Sequence, residues 1–337
     1  MNKLITDRSV WANRELLQRP DWLVEITDEE LAETMAAVAA TRQTPIEQLR
    51  RDDFSLPLFS KRLEAVQHSL ETGSGATLVR GLAAADFTEA ESTRAFLGIS
   101  QYIGTPVSQS ATGERIFHVR DSGFQDGHPG ARGPNTKKKL HFHTDRCDVI
   151  GFMCLKRAKS GGENFLISSS MVYNQIANQR PDLLSELSQP FHYQRHNVDL
   201  GNRSPYCRQP VFSFTEGRFA CSFLRVLIDR AYASGDVPAM TDRQCEALEF
   251  LEQTCERPEI QYRFYQQPGD MLFLNNWTTL HRRSEFVDHE DPVEKRHLLR
   301  VWLSVPNSRP IDPLFQDNFG ATEAGSLRGG MQARLTP

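Results

Sequence analysis

Apolar residues first recur with helical spacing at Leu31, Met35 and Val38, directly behind Thr27 and Glu30, which stand three apart as a capping box. A helix is therefore expected to begin at Thr27. A second is expected over about residues 59–70, closed by Gly73 and Gly75. Residues 76–80 read as a strand stopped at Gly81, and residues 88–102 as a third helix. Between 104 and 139 Gly, Ser, Asp and Pro accumulate, which predicts a long loop region over a pocket.

From Leu140 onward the pattern shortens. Apolar runs at 150–155, 164–168, 211–215, 219–224, 271–274 and 297–304 predict strands, and helical spacing returns at 170–177, 181–187 and 241–255. Many short strands separated by turn signals predict a mainly β fold, a barrel or jelly roll with helices packed outside. One domain is expected over 1–337. Its residues 1–75 would form a helical part packed on a jelly-roll core with helical insertions at 76–337.

Composition narrows the class. The chain has 337 residues, with 39 Lys and Arg against 43 Asp and Glu, a net charge of -4. No basic footprint for nucleic acid results, and the run Lys137-Lys138-Lys139 reads as a solvated loop. No apolar stretch approaches the roughly 18 residues of a membrane span, and no apolar signal core follows the first charges. Six cysteines contain no Cys-x-x-Cys pair. A reduced, cytoplasmic protein with a small-molecule partner is expected.

The chemistry concentrates in His141-Phe142-His143-Thr144-Asp145. In a strand, residues two apart share a face about 7 Å apart, so His143 and Asp145 could converge on one ion. Two histidines and a carboxylate with open positions beside them is the non-haem iron(II) oxygenase arrangement. His-x-Asp alone is a weak signal. It gains weight from Pro268-Gly269-Asp270, a turn, then an apolar run through Asn275-Asn276, then His281-Arg282-Arg283. His281 is the natural third ligand, ahead of His289 in an acidic loop and His297 on a strand. That strand, Arg296 to Trp302, places Arg296 and Arg300 on one face about 13 Å apart, opposite His297. Two guanidinium groups on an otherwise apolar strand favour capture of carboxylates.

Read together, these segments resemble the taurine dioxygenase-like (TauD/TfdA) family of iron(II)- and 2-oxoglutarate-dependent oxygenases, related to clavaminate synthase-like enzymes. Phe142-His143-Thr144-Asp145, Gly161-Gly162, Pro268-Gly269-Asp270, Asn275-Asn276, Leu280-His281-Arg282-Arg283 and Arg296-His297-Leu298-Leu299-Arg300 carry the resemblance. It implies a double-stranded β-helix, a distorted cupin-like jelly roll, with His143 and Asp145 on an early core strand and His281 on a late one. Iron(II) is the implied metal, with 2-oxoglutarate and dioxygen as cosubstrates. Arg296 matches the arginine that pairs with the distal carboxylate of 2-oxoglutarate. Arg300 matches a position facing the primary substrate's acidic group. Where the family usually has Thr or Ser after the paired glycines, this chain has Glu163-Asn164, so Asn164 would have to donate through its amide.

The expected reaction is hydroxylation of an unactivated C–H in a small anionic substrate, such as an amino acid or related acid in natural-product biosynthesis. Asp145 argues against halogenation, for which related enzymes lack the carboxylate ligand. His118 and Arg120, in the loop before the metal segment, are candidate substrate contacts, and Asn276 is a candidate support for His281. His141 is expected in the pocket wall and Cys147 in packing. Desaturation or epoxidation of a carrier-protein-tethered acyl group is one alternative. A metal-dependent hydrolase and a non-catalytic jelly-roll binding protein are others; neither explains the paired arginines together with a complete triad.

Overall fold

The Thr27 hydroxyl accepts the Glu30 amide and the Glu30 carboxylate accepts the Thr27 amide, so helix α1 (Asp28–Ala40) starts at the capping box. The same reciprocal pair, Thr88 and Glu91, starts α3 (Glu89–Ser100). Strand β1 (Leu23–Glu25) precedes α1, and helix α2 (Phe59–Thr72) and strand β2 (Ala76–Arg80) lie between α1 and α3. The computed structural model describes residues 3–82, 87–123, 135–195 and 204–332.

Strands β3 (Thr105–Val107) and β4 (Ile116–Val119) follow, inside the stretch expected to be loop. Residues 124–134 of that stretch lie outside the described residues. Next come β5 (Val149–Lys156), β6 (Ser160–Gly161), β7 (Asn164–Ser168), and helices α4 (Ser169–Gln179) and α5 (Pro181–Leu187). Strands β8 (Phe191–Gln194), β9 (Tyr206–Gln209), β10 (Phe212–Thr215) and β11 (Arg218–Cys221) lead to α6 (Arg225–Ala233) and α7 (Asp242–Cys255). The chain ends through β12 (Tyr262–Phe264), β13 (Met271–Asn275), β14 (Thr279–Arg283), β15 (Phe286–Val287), β16 (His297–Ser304) and α8 (Gln316–Phe319).

Seven strands form the main sheet, in the order β1-β2-β13-β5-β16-β3, with β4 also paired to β16. One face packs Val79, Met153, Phe273, Leu299 and Val301 against α1, α2 and α3. The other packs Leu78, Ile150, Leu272, Leu274 and Trp302 against Leu166 of a second sheet, β12-β7-β14. Burial on both faces is why β13 and β16 read as continuous apolar runs rather than alternating ones. Behind the second sheet, Ile167 and Leu280 join a third cluster with α4, α5 and α7.

The expectation of a mainly β fold is corrected here. Helix outweighs strand, 33% to 23%, and the architecture is mixed α/β. The reason is physical: the outward faces of both sheets are apolar, and each needs its own helical layer to leave water. One buried cluster joins residues of α1, α2 and α3 to the main sheet. Among the described residues no helix is long and apolar enough to cross a membrane.

Candidate metal centre and its cavity

Between the two sheets lies a cavity of about 50 Å³. His143, Asp145 and His281 line it, and their ligand atoms all fall within 4.8 Å of one another. The Asp145 Oδ2 atom stands 3.3 Å from His281 Nε2 and 3.7 Å from His143 Nε2. His281 comes from β14, as expected of a late strand.

His143 and Asp145 correct the sequence reading in one respect. No strand runs through 141–145; His143 makes a single antiparallel bridge to His281, with amide-to-carbonyl bonds of 3.1 Å in both directions. The Thr144 amide is taken by the Phe223 carbonyl and the Asp145 amide by Asn276 Oδ1, so the chain leaves the ladder after one residue. The departure aims Asp145 inward and turns His141 out: its side chain is 77% exposed, beside Glu252, and is not a pocket wall. Asn276 accordingly supports Asp145, not His281, and its Nδ2 donates to the buried Cys147 sulfur.

The arrangement of the donor atoms fits a cation. His143 Nδ1 donates to the His141 carbonyl at 2.9 Å, which leaves Nε2 facing the triad. Asp145 Oδ2 is buried and has no hydrogen-bond partner. Burial pushes the Asp145 carboxyl up, but the Arg300 guanidinium and the two histidines outweigh it and hold the group below its usual range. Burial and the neighbouring His281 push His143 down to about 4, so it is a neutral donor at pH 7. An orphaned carboxylate oxygen between two imidazole nitrogens fits a divalent metal ion.

Four arginines line the same cavity: Arg282, Arg283, Arg296 and Arg300. Arg300 stands beside the triad, with Nη1 3.3 Å from Asp145 Oδ1 and Nε donating to Gln109 Oε1 at 2.7 Å. Its guanidinium lies between the Phe117 and Trp302 rings, and Nη2 is buried without a partner. Arg296 rests on Phe286, its Nη1 likewise buried and partnerless. Burial pushes it down to about 10. Arg283 shares Phe286 from β14 and donates to the carbonyls of Lys138 and Ser284. Burial, then the charge of Arg296, brings it down to about 9. Arg282 lies over Phe142 and Phe165 and pairs with Glu256.

Asn164 lines the cavity, one amide hydrogen committed to Gln266 Oε1 at 3.1 Å. His118 and Arg120 do not line it. Val119 between them does, and alternation along β4 sends His118 behind the sheet, where it meets His297, while Arg120 is exposed. Gln109 and Arg283 went unnoticed as site residues in the sequence. Arg283 had a signal, since it sits two residues beyond His281 on one strand and shares its face. Gln109 had none, lying in the stretch that read as loop.

Two histidines and one carboxylate in a guanidinium-lined cavity between facing sheets define a non-haem iron oxygenase that uses 2-oxoglutarate. A family model described as taurine catabolism dioxygenase TauD, TfdA family matches residues 40–302, and the chain belongs to that family of Fe(II)- and 2-oxoglutarate-dependent dioxygenases. The chain is 27% identical over 346 residues to FR-33289 synthase of Streptomyces rubellomurinus (strain ATCC 31215), covering all of this chain and 98% of that protein. It is 28% identical to the taurine hydroxylase-like protein SAT17 of Stachybotrys chartarum, over 94% of this chain and 86% of the other. In fold it is similar to an asparagine oxygenase solved with Fe(II), (2S,3S)-3-hydroxyasparagine and succinate. That match has a TM-score of 0.66 and 17% identity over 84% of this chain and 93% of the other. The oxygenase OrfP, solved with Fe and α-ketoglutaric acid, gives a TM-score of 0.62 at 13% identity over 84% and 94%.

Proposed function

We propose that the enzyme hydroxylates an unactivated C–H of a small anionic substrate, an amino acid or related acid of natural-product biosynthesis. One observation carries this reading. The cavity sets Arg283, Arg296 and Arg300 against a single carboxylate, Asp145, so it has cationic capacity for more than one anion. We read the two facing sheets as a distorted jelly roll, in which the triad would sit at the mouth of the barrel.

In this proposal His143, Asp145 and His281 hold iron(II), which with 2-oxoglutarate and dioxygen supplies the oxidant. The buried, partnerless Nη1 of Arg296 takes the distal carboxylate of 2-oxoglutarate, with Asn164 alongside. Arg300 divides its donors. Nη1 and Nε orient Asp145 and Gln109, and the free Nη2 faces the substrate's acidic group. The apolar wall of Val119, Phe152, Leu166, Leu272 and Leu298 excludes water from the reacting carbon.

Anaerobic addition of iron(II) and then 2-oxoglutarate should give a weak visible charge-transfer band. A panel of amino acids and related acids should then be screened for substrate-dependent succinate. Absence of the band overturns the assignment of the triad. A band with succinate released only for neutral or carrier-tethered substrates overturns the substrate class.

A further inference from the structure

Arg296, directly before strand β16, and Arg300 within it face the cavity, and the strand's other face carries a second cluster that the reaction does not use. His297 is buried there, with Nε2 2.8 Å from Nδ1 of His118 on β4. Glu89, in the first turn of α3, closes the group: its carboxylate oxygens stand 3.6 Å from His297 Nδ1 and 3.7 Å from His118 Nδ1. Ligand atoms of all three residues lie within 4.8 Å of one another, as they do in the catalytic triad. The three come from three separate elements. Register sets two of them, because β4 pairs with β16 so that His118 lies opposite Leu299, two residues beyond His297.

A bond between two imidazole nitrogens uses one proton to join two donor atoms. One nitrogen donates and the other accepts, and a metal ion can take the place of that proton. Tetrahedral zinc bound at about 2.0–2.1 Å needs its nitrogen ligands roughly 3.3 Å apart, so the pair has to open by only about half an ångström. Glu89 can follow, because its side chain is 56% exposed, and solvent can supply the fourth position. Charge around the cluster is mixed. Glu114 and Glu89 are acidic, and Arg120 and Lys156 are basic, but the Lys156 ammonium is already committed to Glu294 and the Val293 carbonyl.

We infer that Glu89, His118 and His297 form a second metal site, for a borderline first-row dication such as Zn(II), distinct from the iron centre. Bound there, the ion ties the start of α3 to the back of β16, the strand that carries Arg300 and follows directly on Arg296. Two nitrogens and one carboxylate oxygen, open to solvent on one side, suit zinc better than the all-oxygen ions.

The test uses Zn(II) as the probe, with the full-length Asp145→Ala protein so that the triad is crippled. Competition against a chromophoric chelator should show one equivalent bound, and Zn(II) should raise the thermal midpoint in a concentration-dependent way. Adding His118→Gln, or separately Glu89→Gln, should weaken that equivalent at least tenfold and remove the thermal shift. Both positions are partly exposed, and unchanged circular dichroism checks the fold. Wild-type protein should bind two equivalents. The inference is overturned if Asp145→Ala protein binds no Zn(II), or if its equivalent survives both second substitutions undiminished. Because activity is not the readout, failure here leaves the iron assignment standing.

Discussion

Asp145 meets three partners through two oxygens: Arg300 on one, His143 and His281 across the other. Asp145→Ala should lose tight iron binding and succinate production while far-ultraviolet circular dichroism stays native, since that side chain belongs to none of the hydrophobic clusters that hold the sheets and helices together. Near-wild-type turnover in this variant would mean that the metal is held elsewhere. The arginines should separate by function. Arg296→Ala leaves a buried carboxylate unpaired, which costs roughly 2 to 5 kcal/mol, or about 30- to 5000-fold in affinity. The 2-oxoglutarate requirement should rise by that factor even without substrate, read anaerobically from the charge-transfer band. Arg300→Ala should leave the titration nearly intact, impair substrate-coupled turnover and leave slow uncoupled decarboxylation. The reverse pattern would exchange the two roles.

The paired glycines act at the scale of the turn that joins β6 to β7. Gly162 has φ +75°, and a Cβ there would sit 3.2 Å from Arg296 Nε. Gly162→Ala should therefore do two things. Left-handed backbone strain should lower stability by about 1 to 2 kcal/mol, and the displaced guanidinium should raise the 2-oxoglutarate requirement by about three- to tenfold. A urea midpoint that falls while the cosubstrate titration stays put would confine the glycine's role to the backbone. The same pairings explain what could be read ahead of the structure. Strands Asn164–Ser168 and His297–Ser304 stand where apolar runs placed them, and helix Pro181–Leu187 where helical spacing did, because local pattern and burial agree there. Strand β4 was not legible: its four residues, Ile116 to Val119, are too few to show an alternation, and only pairing with β16 gives it an inside and an outside. For want of that pairing His118 read as a substrate contact, whereas Val119 is the residue that reaches the cavity.

Over the whole molecule, the C-terminal segment is bound to the metal segment by a buried ion pair. Arg328 Nε donates to Asp148 Oδ1 at 2.7 Å, with side chains 0% and 1% exposed, and Asp148 also accepts from Trp277 Nε1 and the Val305 amide. Arg328→Met should lower stability by about 3 to 5 kcal/mol, because Asp148 is left charged and buried. A fall in the denaturant midpoint at constant m measures it, and a loss under about 1 kcal/mol would refute this role. Acid sensitivity is a second global property. His143 and His297 are pushed down to about 4 by burial, against about 6.5 in an unfolded chain. Between those values the unfolded chain binds more protons, so stability of the metal-free enzyme is full above about pH 6.5 and falls as the pH drops towards 4. Equal urea midpoints at pH 8 and pH 5 would contradict it. The sequence by itself singled out His143, Asp145 and His281, which the fold brings within 4.8 Å of one another, the shared face of Arg296 and Arg300, and most helices and strands, because spacing and periodicity are local and survive without coordinates. Only the tertiary structure decided the mixed α/β architecture, the placing of Arg300 against Asp145, the support of Asp145 by Asn276 and the retreat of His118 behind the sheet. Each of those depends on which strands pair and which faces are covered, and residues 109 and 300, or 145 and 276, meet only after the chain has folded.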